Sequence, residues 1–164
     1  MKRLTLVAML VLGMLFAISC SKDDDNGTNS NNAEVWEGTW LSAGANVAVI
    51  LSYYFSYDSI RVEFRDDMTV TTDQHVADGA WTTIEGTYTV TESETGDVHS
   101  ISIVYPAFEQ QGIIEVTEGS PSTMRLELVQ TNPDIGAVPR TPDSGFGSDA
   151  GLGTSNIQTY VQED

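Results

Sequence analysis

Cysteine is nearly absent, with one thiol, Cys20, in 164 residues. A single cysteine rules out an intramolecular disulfide and any Cys-x-x-Cys redox or metal motif, so the folded part must hold together by packing alone. Basic residues are scarce as well: seven Lys and Arg stand against 24 Asp and Glu. Two of the seven, Lys2 and Arg3, sit at the very start, so the chain beyond residue 19 keeps five bases against the same 24 acids. A body so negative is repelled by phosphate backbones and anionic lipid surfaces, which argues against nucleic-acid binding and against acidic substrates. Histidine occurs only at His75 and His99, at no helical spacing, and both read as strand-end or surface residues. The Gly-x-Ser-x-Gly elbow, His-Glu-x-x-His and the phosphate-cradling Gly-x-x-x-x-Gly-Lys are all missing. Among 24 carboxylates some pair must lie close enough for acid–base chemistry, yet no spacing selects one. The chain therefore reads as a binder rather than an enzyme, with no cofactor and no resident metal.

Long apolar runs are limited to one. Met1, Lys2 and Arg3 are followed by LTLVAMLVLGMLFAI (Leu4 to Ile18), too short for the roughly 20 residues of a spanning helix but right for the apolar region of an export signal. The run ends in AISC (Ala17 to Cys20), small residues directly before the lone cysteine. This arrangement resembles the lipobox of bacterial lipoproteins, and the resemblance implies cleavage after Ser19 and lipid on the Cys20 sulfur. Several acyl chains would then anchor the protein more firmly than the single chain that gives only marginal binding. The polar stretch SKDDDNGTNSNNA (Ser21 to Ala33) cannot bury enough surface to offset its ordering entropy and reads as a linker, spanning on the order of 20 Å as a flexible coil. Its opening SKDDD resembles the acidic export signal of surface-displayed outer-membrane lipoproteins. The expected organisation is a signal peptide at 1–19, a lipidated cysteine and acidic linker at 20–33, and one domain at 34–164. The expected place is the outer membrane, facing the cell exterior or, alternatively, the periplasm.

From Trp36 to Thr131 short β-type runs alternate with turn residues. SIRVEF sets Ile60, Val62 and Phe64 on one face and Arg61, Glu63 and Arg65 on the other, the period of two of a half-buried strand. RDDMTVTT predicts a turn at Asp66 and Asp67, then a strand with Met68 and Val70 on one face. SISIVYP aligns Ile101, Ile103 and Tyr105 until Pro106 stops it, GIIEVTE aligns Ile114 with Val116, and MRLELVQT aligns Met124, Leu126 and Leu128. SETGD (Ser93 to Asp97) and EGSPS (Glu118 to Ser122) carry hairpin-turn chemistry. In AWTTIEGTYTVTE, Trp81 and Tyr88 are an odd number of positions apart, so for both to face one core a bulge near Glu85 and Gly86 is predicted. NVAVILSYYF (Asn46 to Phe55) shows neither period and reads as a strand or as a short helical plug over an open barrel end.

Seven or eight antiparallel strands in a meander without crossover helices predict an all-β sheet that closes on itself. WEGTW (Trp36 to Trp40), followed by hairpins and GTY (Gly86 to Tyr88), resembles the lipocalin-like lipoproteins, whose first strand carries Gly-x-Trp, here Gly38, Thr39 and Trp40. The resemblance implies a lipocalin-like β-barrel with Trp40 packed across its closed base. Beyond it, Asn132 to Asn156 is rich in Gly and Pro and reads as a long flap across the domain, with IQTYVQE (Ile157 to Glu163) returning as a final short strand. Within the flap, SGFGSDAGL partly echoes a calcium-binding nonapeptide with Asp143 and Asp149 nearby, but one imperfect copy lacks stacked neighbours, and its glycines read as turn formers.

Two binding readings follow. In the first, the barrel holds a small apolar molecule against Phe64, Trp81, Tyr88, Ile101, Ile103, Tyr105, Leu126 and Leu128. In the second, the core is filled and the surface aromatics Tyr53, Tyr54 and Tyr57 present stacking faces to a glycan or a protein partner.

Overall fold

A computed structural model describes residues 33–163. The signal peptide, Cys20 and the linker up to Asn32 lie outside the described residues. Eight strands follow in order: β1 (Gly38–Ala43), β2 (Tyr57–Phe64), β3 (Thr69–Val76), β4 (Thr82–Thr91), β5 (Val98–Val104), β6 (Glu109–Thr117), β7 (Thr123–Asn132) and β8 (Ile157–Gln162). A 3₁₀ turn (Gly44–Asn46) and one α-helix, α1 (Val49–Phe55), stand between β1 and β2. Each strand pairs antiparallel with the next, and β8 returns to β1, so the meander closes into an eight-stranded, lipocalin-like barrel.

Alternation in the sequence becomes inside and outside of the barrel. Ile60, Val62 and Phe64 are buried on β2 while Arg61 and Glu63 between them stay half-exposed. Ile101 and Ile103 do the same from β5, with Tyr105 just beyond its end, and Met124 and Leu126 from β7. Each such side chain stabilises the closed form by roughly 2 kcal/mol through its burial. At the end away from α1, Trp40 is fully buried and its indole N–H donates to the Trp36 carbonyl oxygen at 2.9 Å. Phe64 and Tyr88 pack edge to face there at 4.8 Å, and the Tyr88 hydroxyl donates to the Arg65 carbonyl oxygen.

Three local expectations are corrected. Met68 belongs to the turn, with φ at +64°, and is exposed; the strand begins one residue later because Asp67 Oδ1 accepts hydrogen bonds from both the backbone and the hydroxyl of Thr69. No bulge interrupts β4: its ladder to β3 runs unbroken from Thr82 to Thr87, so Ile84, Gly86 and Tyr88 share the inner face. Trp81 precedes that strand and lies outside, 42% exposed, against His75 at 5.0 Å and under the Arg61 guanidinium at 5.0 Å. The ambiguous stretch at 46–55 is helical at its core. Its N-terminus has no capping side chain of its own, and the Ala48 N–H is taken instead by Gln158 Oε1 of β8 at 2.8 Å. Ser56, in the left-handed conformation, ends the helix and turns the chain into β2.

The Gly/Pro-rich segment from Pro133 to Asn156 straps the outer face of β6 and β7. Gly147 N–H donates to Glu127 Oε2 at 2.7 Å, the Phe146 ring lies 4.1 Å from the Arg125 guanidinium, and Asn156 Nδ2 donates to the Leu128 carbonyl oxygen. This is why Glu127 and Ile113, though outward-facing, are buried. Asp149 accepts from the backbone of Gly151 and Leu152 and faces Arg140 at 3.5 Å; these hydrogen bonds hold its carboxyl below the usual range.

Gly112 sits in the middle of β6 where a Cβ would collide with the Glu127 carbonyl oxygen of β7. Gly112→Ala is therefore expected to destabilise the barrel by about 3 kcal/mol. Urea unfolding followed by circular dichroism reads the loss, and an unchanged midpoint would contradict this packing.

Candidate functional site

The barrel is not filled to both ends. Beneath α1 lies a cavity of about 120 Å³. Its apolar wall comes from Ile60 and Val62 of β2, Ile84 of β4, Ile103 of β5 and Leu126 and Leu128 of β7, with Leu51 of α1 as the roof. Its polar groups come from the same alternation: Thr72 and Gln74 on β3, Gln110 on β6, Gln158 and Tyr160 on β8, and Asn156 just before it. The lining holds no charged side chain.

Most polar groups here are paired within the wall. Tyr57 donates its hydroxyl hydrogen to Gln74 Oε1 at 2.7 Å, and the Thr72 and Tyr105 hydroxyls lie 2.8 Å apart. Gln158 differs. Its orientation is fixed, because only the amide oxygen can accept the Ala48 N–H. The amide nitrogen is thereby turned away, and it is buried without a hydrogen-bond partner. Leaving such a donor unmade costs about 1–3 kcal/mol.

The wall of hydrogen-bonded strands is incomplete at this end of the barrel. The β4–β5 ladder stops at the pair Thr87 and Val104, so the half of β4 from Thr82 to Gly86 has no β5 neighbour. Tyr105 and Phe108, with ring centroids 4.7 Å apart, close the gap, and an outer cleft touches the same Ile84, Tyr105 and Phe108 from the other side. On the opposite flank β1 and β8 pair at only two positions, Trp40 with Gln162 and Leu41 with Val161. Above them the seam is held by the Gln158 to Ala48 hydrogen bond.

Of the residues singled out in the sequence, Ile103, Tyr105, Leu126 and Leu128 line this cavity. Phe64, Tyr88 and Ile101 are core side chains outside its lining, and Trp81 is outside the barrel altogether. Gly38 opens β1 at φ +115°, and Trp40 is buried in the core two residues later. Tyr53 and Tyr54, on α1, are 78% and 72% exposed and contact each other edge to face at 5.0 Å. Tyr57 is no surface aromatic: it is half-buried and its hydroxyl is bound in the cavity wall. His75 pairs with Asp58 at 2.6 Å on the outer face, and His99 Nδ1 accepts the Ser93 N–H. Among the described residues no group of three or more His, Cys, Asp or Glu is placed to hold a metal ion.

Sequence reasoning missed the polar part of the lining. In IQTYVQE the apolar, β-branched set Ile157, Thr159 and Val161 competes with Gln158, Tyr160 and Gln162 for the inside. Pairing decides it: Gln158 stands opposite Leu126 and Tyr160 opposite Met124, both inward positions of β7. No family model, curated protein or solved structure matches the chain.

Burial raises the phenols of Tyr105 and Tyr160, and it pushes Tyr88 up to about 12, with the Glu37 carboxylate adding to the effect. In the unfolded chain these groups ionise near pH 10. The unfolded state therefore loses its protons first as pH rises, so the stability these tyrosines confer is full below about pH 10 and declines above it. Unfolding midpoints should be flat with respect to these groups from pH 7 to 9 and fall from pH 10 to 12, together with the tyrosinate absorbance step. Tyrosinate appearing near pH 10 with the fold intact would contradict the burial of these rings.

Proposed function

We propose that this protein is a lipid-anchored lipoprotein of the bacterial cell envelope, held by acyl chains on Cys20 and displayed on the outer membrane, whose barrel binds one small molecule without transforming it. The observation that carries the binding reading is the cavity of about 120 Å³ beneath α1, an unfilled interior in a barrel size that side chains can otherwise pack solid. Ligand pockets for drug-sized molecules run to 300 Å³ and more. A cavity of about 150 Å³ holds benzene, so at about 120 Å³ the closed form takes at most a single small ring or a short branched chain. A long acyl chain does not fit unless α1 moves. The gap at Tyr105 and Phe108 supplies a route in, since two side chains, rather than a hydrogen-bonded ladder, separate the cavity from the outer cleft.

A second reading has its own support. Tyr53 and Tyr54 stand exposed on α1, a pair of aromatic faces suited to stacking on a glycan ring or a protein partner. The two readings use different residues and separate by mutation.

Native mass spectrometry of the chain, purified gently from the envelope, should show a reproducible added mass of a small organic molecule. Leu128→Trp, which fills the cavity, should abolish that adduct, whereas Tyr53→Ala should leave it in place and shift stability by less than about 0.5 kcal/mol. An adduct that survives Leu128→Trp would overturn the cavity as its site. Glycan binding that is lost in Tyr53→Ala or Tyr54→Ala but kept in Leu128→Trp would favour the surface reading.

A further inference from the structure

We infer that the cavity selects a small neutral molecule carrying a carbonyl or ether oxygen, which accepts a hydrogen bond from the Gln158 amide, and that it excludes carboxylates. The inference rests on the cavity-binding reading and narrows its ligand to a chemical class. Three observations carry it.

The first is the orphaned donor. Gln158 lines the cavity, is 4% exposed, and has an amide nitrogen with no partner among the described residues. Its oxygen is committed to the Ala48 N–H, so the amide cannot rotate to exchange donor for acceptor without setting N–H against N–H. What the Gln158 amide asks of a ligand is therefore an acceptor. The Gln74 oxygen is likewise taken, by the Tyr57 hydroxyl. Buried polar groups are nearly always satisfied, so an exception at a cavity wall points to what enters the cavity.

The second is charge. No Lys, Arg or His lines the cavity, so a carboxylate would be buried without a counter-ion in a body that already carries a large excess of acids. Burying an unpaired charge costs far more than one donated hydrogen bond returns. A cation meets the same desolvation cost and faces the Gln158 amide hydrogens as well. Neutral ligands remain.

The third is shape. Ile60, Val62, Ile103, Leu126 and Leu128 offer contact to a compact hydrocarbon body, and the volume of about 120 Å³ limits that body to about one six-membered ring. An apolar ring with one acceptor oxygen satisfies the wall and the orphaned donor together.

The test is a matched ligand series on the purified full-length chain: cyclohexanone, methylcyclohexane and cyclohexanecarboxylate, followed by the side-chain amide resonances of Gln158 in ¹H–¹⁵N spectra. Cyclohexanone should bind about tenfold more tightly than methylcyclohexane, the ratio of one net hydrogen bond, and should shift the Gln158 amide protons. The carboxylate should not bind. In Gln158→Met the preference for the ketone should vanish while methylcyclohexane still binds. Equal affinity for ketone and hydrocarbon, or preferred binding of the carboxylate, would overturn the ligand class and leave the cavity reading standing. Failure of all three to bind would remove the cavity reading and this inference with it. Should Gln158→Met not fold, because Ala48 loses its acceptor, the wild-type series alone decides.

Discussion

Closure of the barrel by β8 is the constraint on which the rest depends. Without it β1 and β7 would each present a row of unpaired backbone groups, and an eight-stranded meander would be an open sheet with two exposed edges. The closing strand arrives late, after the long strap from Pro133 to Asn156, and its two sides are unequal: five residue pairs to β7 but two to β1. The strap compensates on the β7 side by fastening to Glu127, Arg125 and Leu128. On the β1 side the Glu163 N–H donates to the Thr39 carbonyl oxygen at 2.8 Å, and Gln158 reaches from β8 to the start of α1 and caps a helix that has no cap of its own.

That use of Gln158 links the architecture to the site. A glutamine is long enough to bridge a seam the backbones do not close, but its amide has two ends, and satisfying Ala48 with the oxygen leaves the nitrogen inside the barrel. The helix held in this way roofs the cavity through Leu51, so the roof, the seam and the orphaned donor form one arrangement. The far end of the barrel is the opposite case. There Trp40, Phe64, Tyr88 and Met124 fill the interior with large side chains, and the polar atoms of Trp40 and Tyr88 find backbone carbonyl oxygens. Dense packing thus fills one end, and an unfilled, polar-lined pocket lies at the other.

Much of the barrel was legible in the sequence where one face is plainly greasier than the other. Ile60, Val62 and Phe64, or Ile101, Ile103 and Tyr105, leave no doubt about which side faces in, and Gly38 with Trp40 marks the first strand. The failures have physical causes. Trp81 is large and apolar and reads as a core residue, but it sits one residue before β4 begins, where the strand's alternation does not govern it, and the Arg61 guanidinium and His75 ring cover it from outside. The helix at 49–55 has no amphipathic pattern because its exposed face carries Val49, Tyr53 and Tyr54, so periodicity could not choose between strand and helix. Gln158 was invisible because β8 turns its β-branched face outward, a choice made by the ladder with β7 and not by the strand's own composition. The proposed lipid anchor rests on a local sequence signal around Cys20, which lies outside the described residues and is independent of the fold.

Ligand binding in this barrel requires that the interior under α1 be open space. A crystal of the protein equilibrated under xenon pressure measures this directly, since xenon enters enclosed cavities that have apolar walls. A xenon or ordered-solvent peak is expected within the wall formed by Ile103, Leu126 and Tyr160, with Gln158 Nε2 at its edge. Side chains collapsed into that space, with no peak at any pressure, would contradict it.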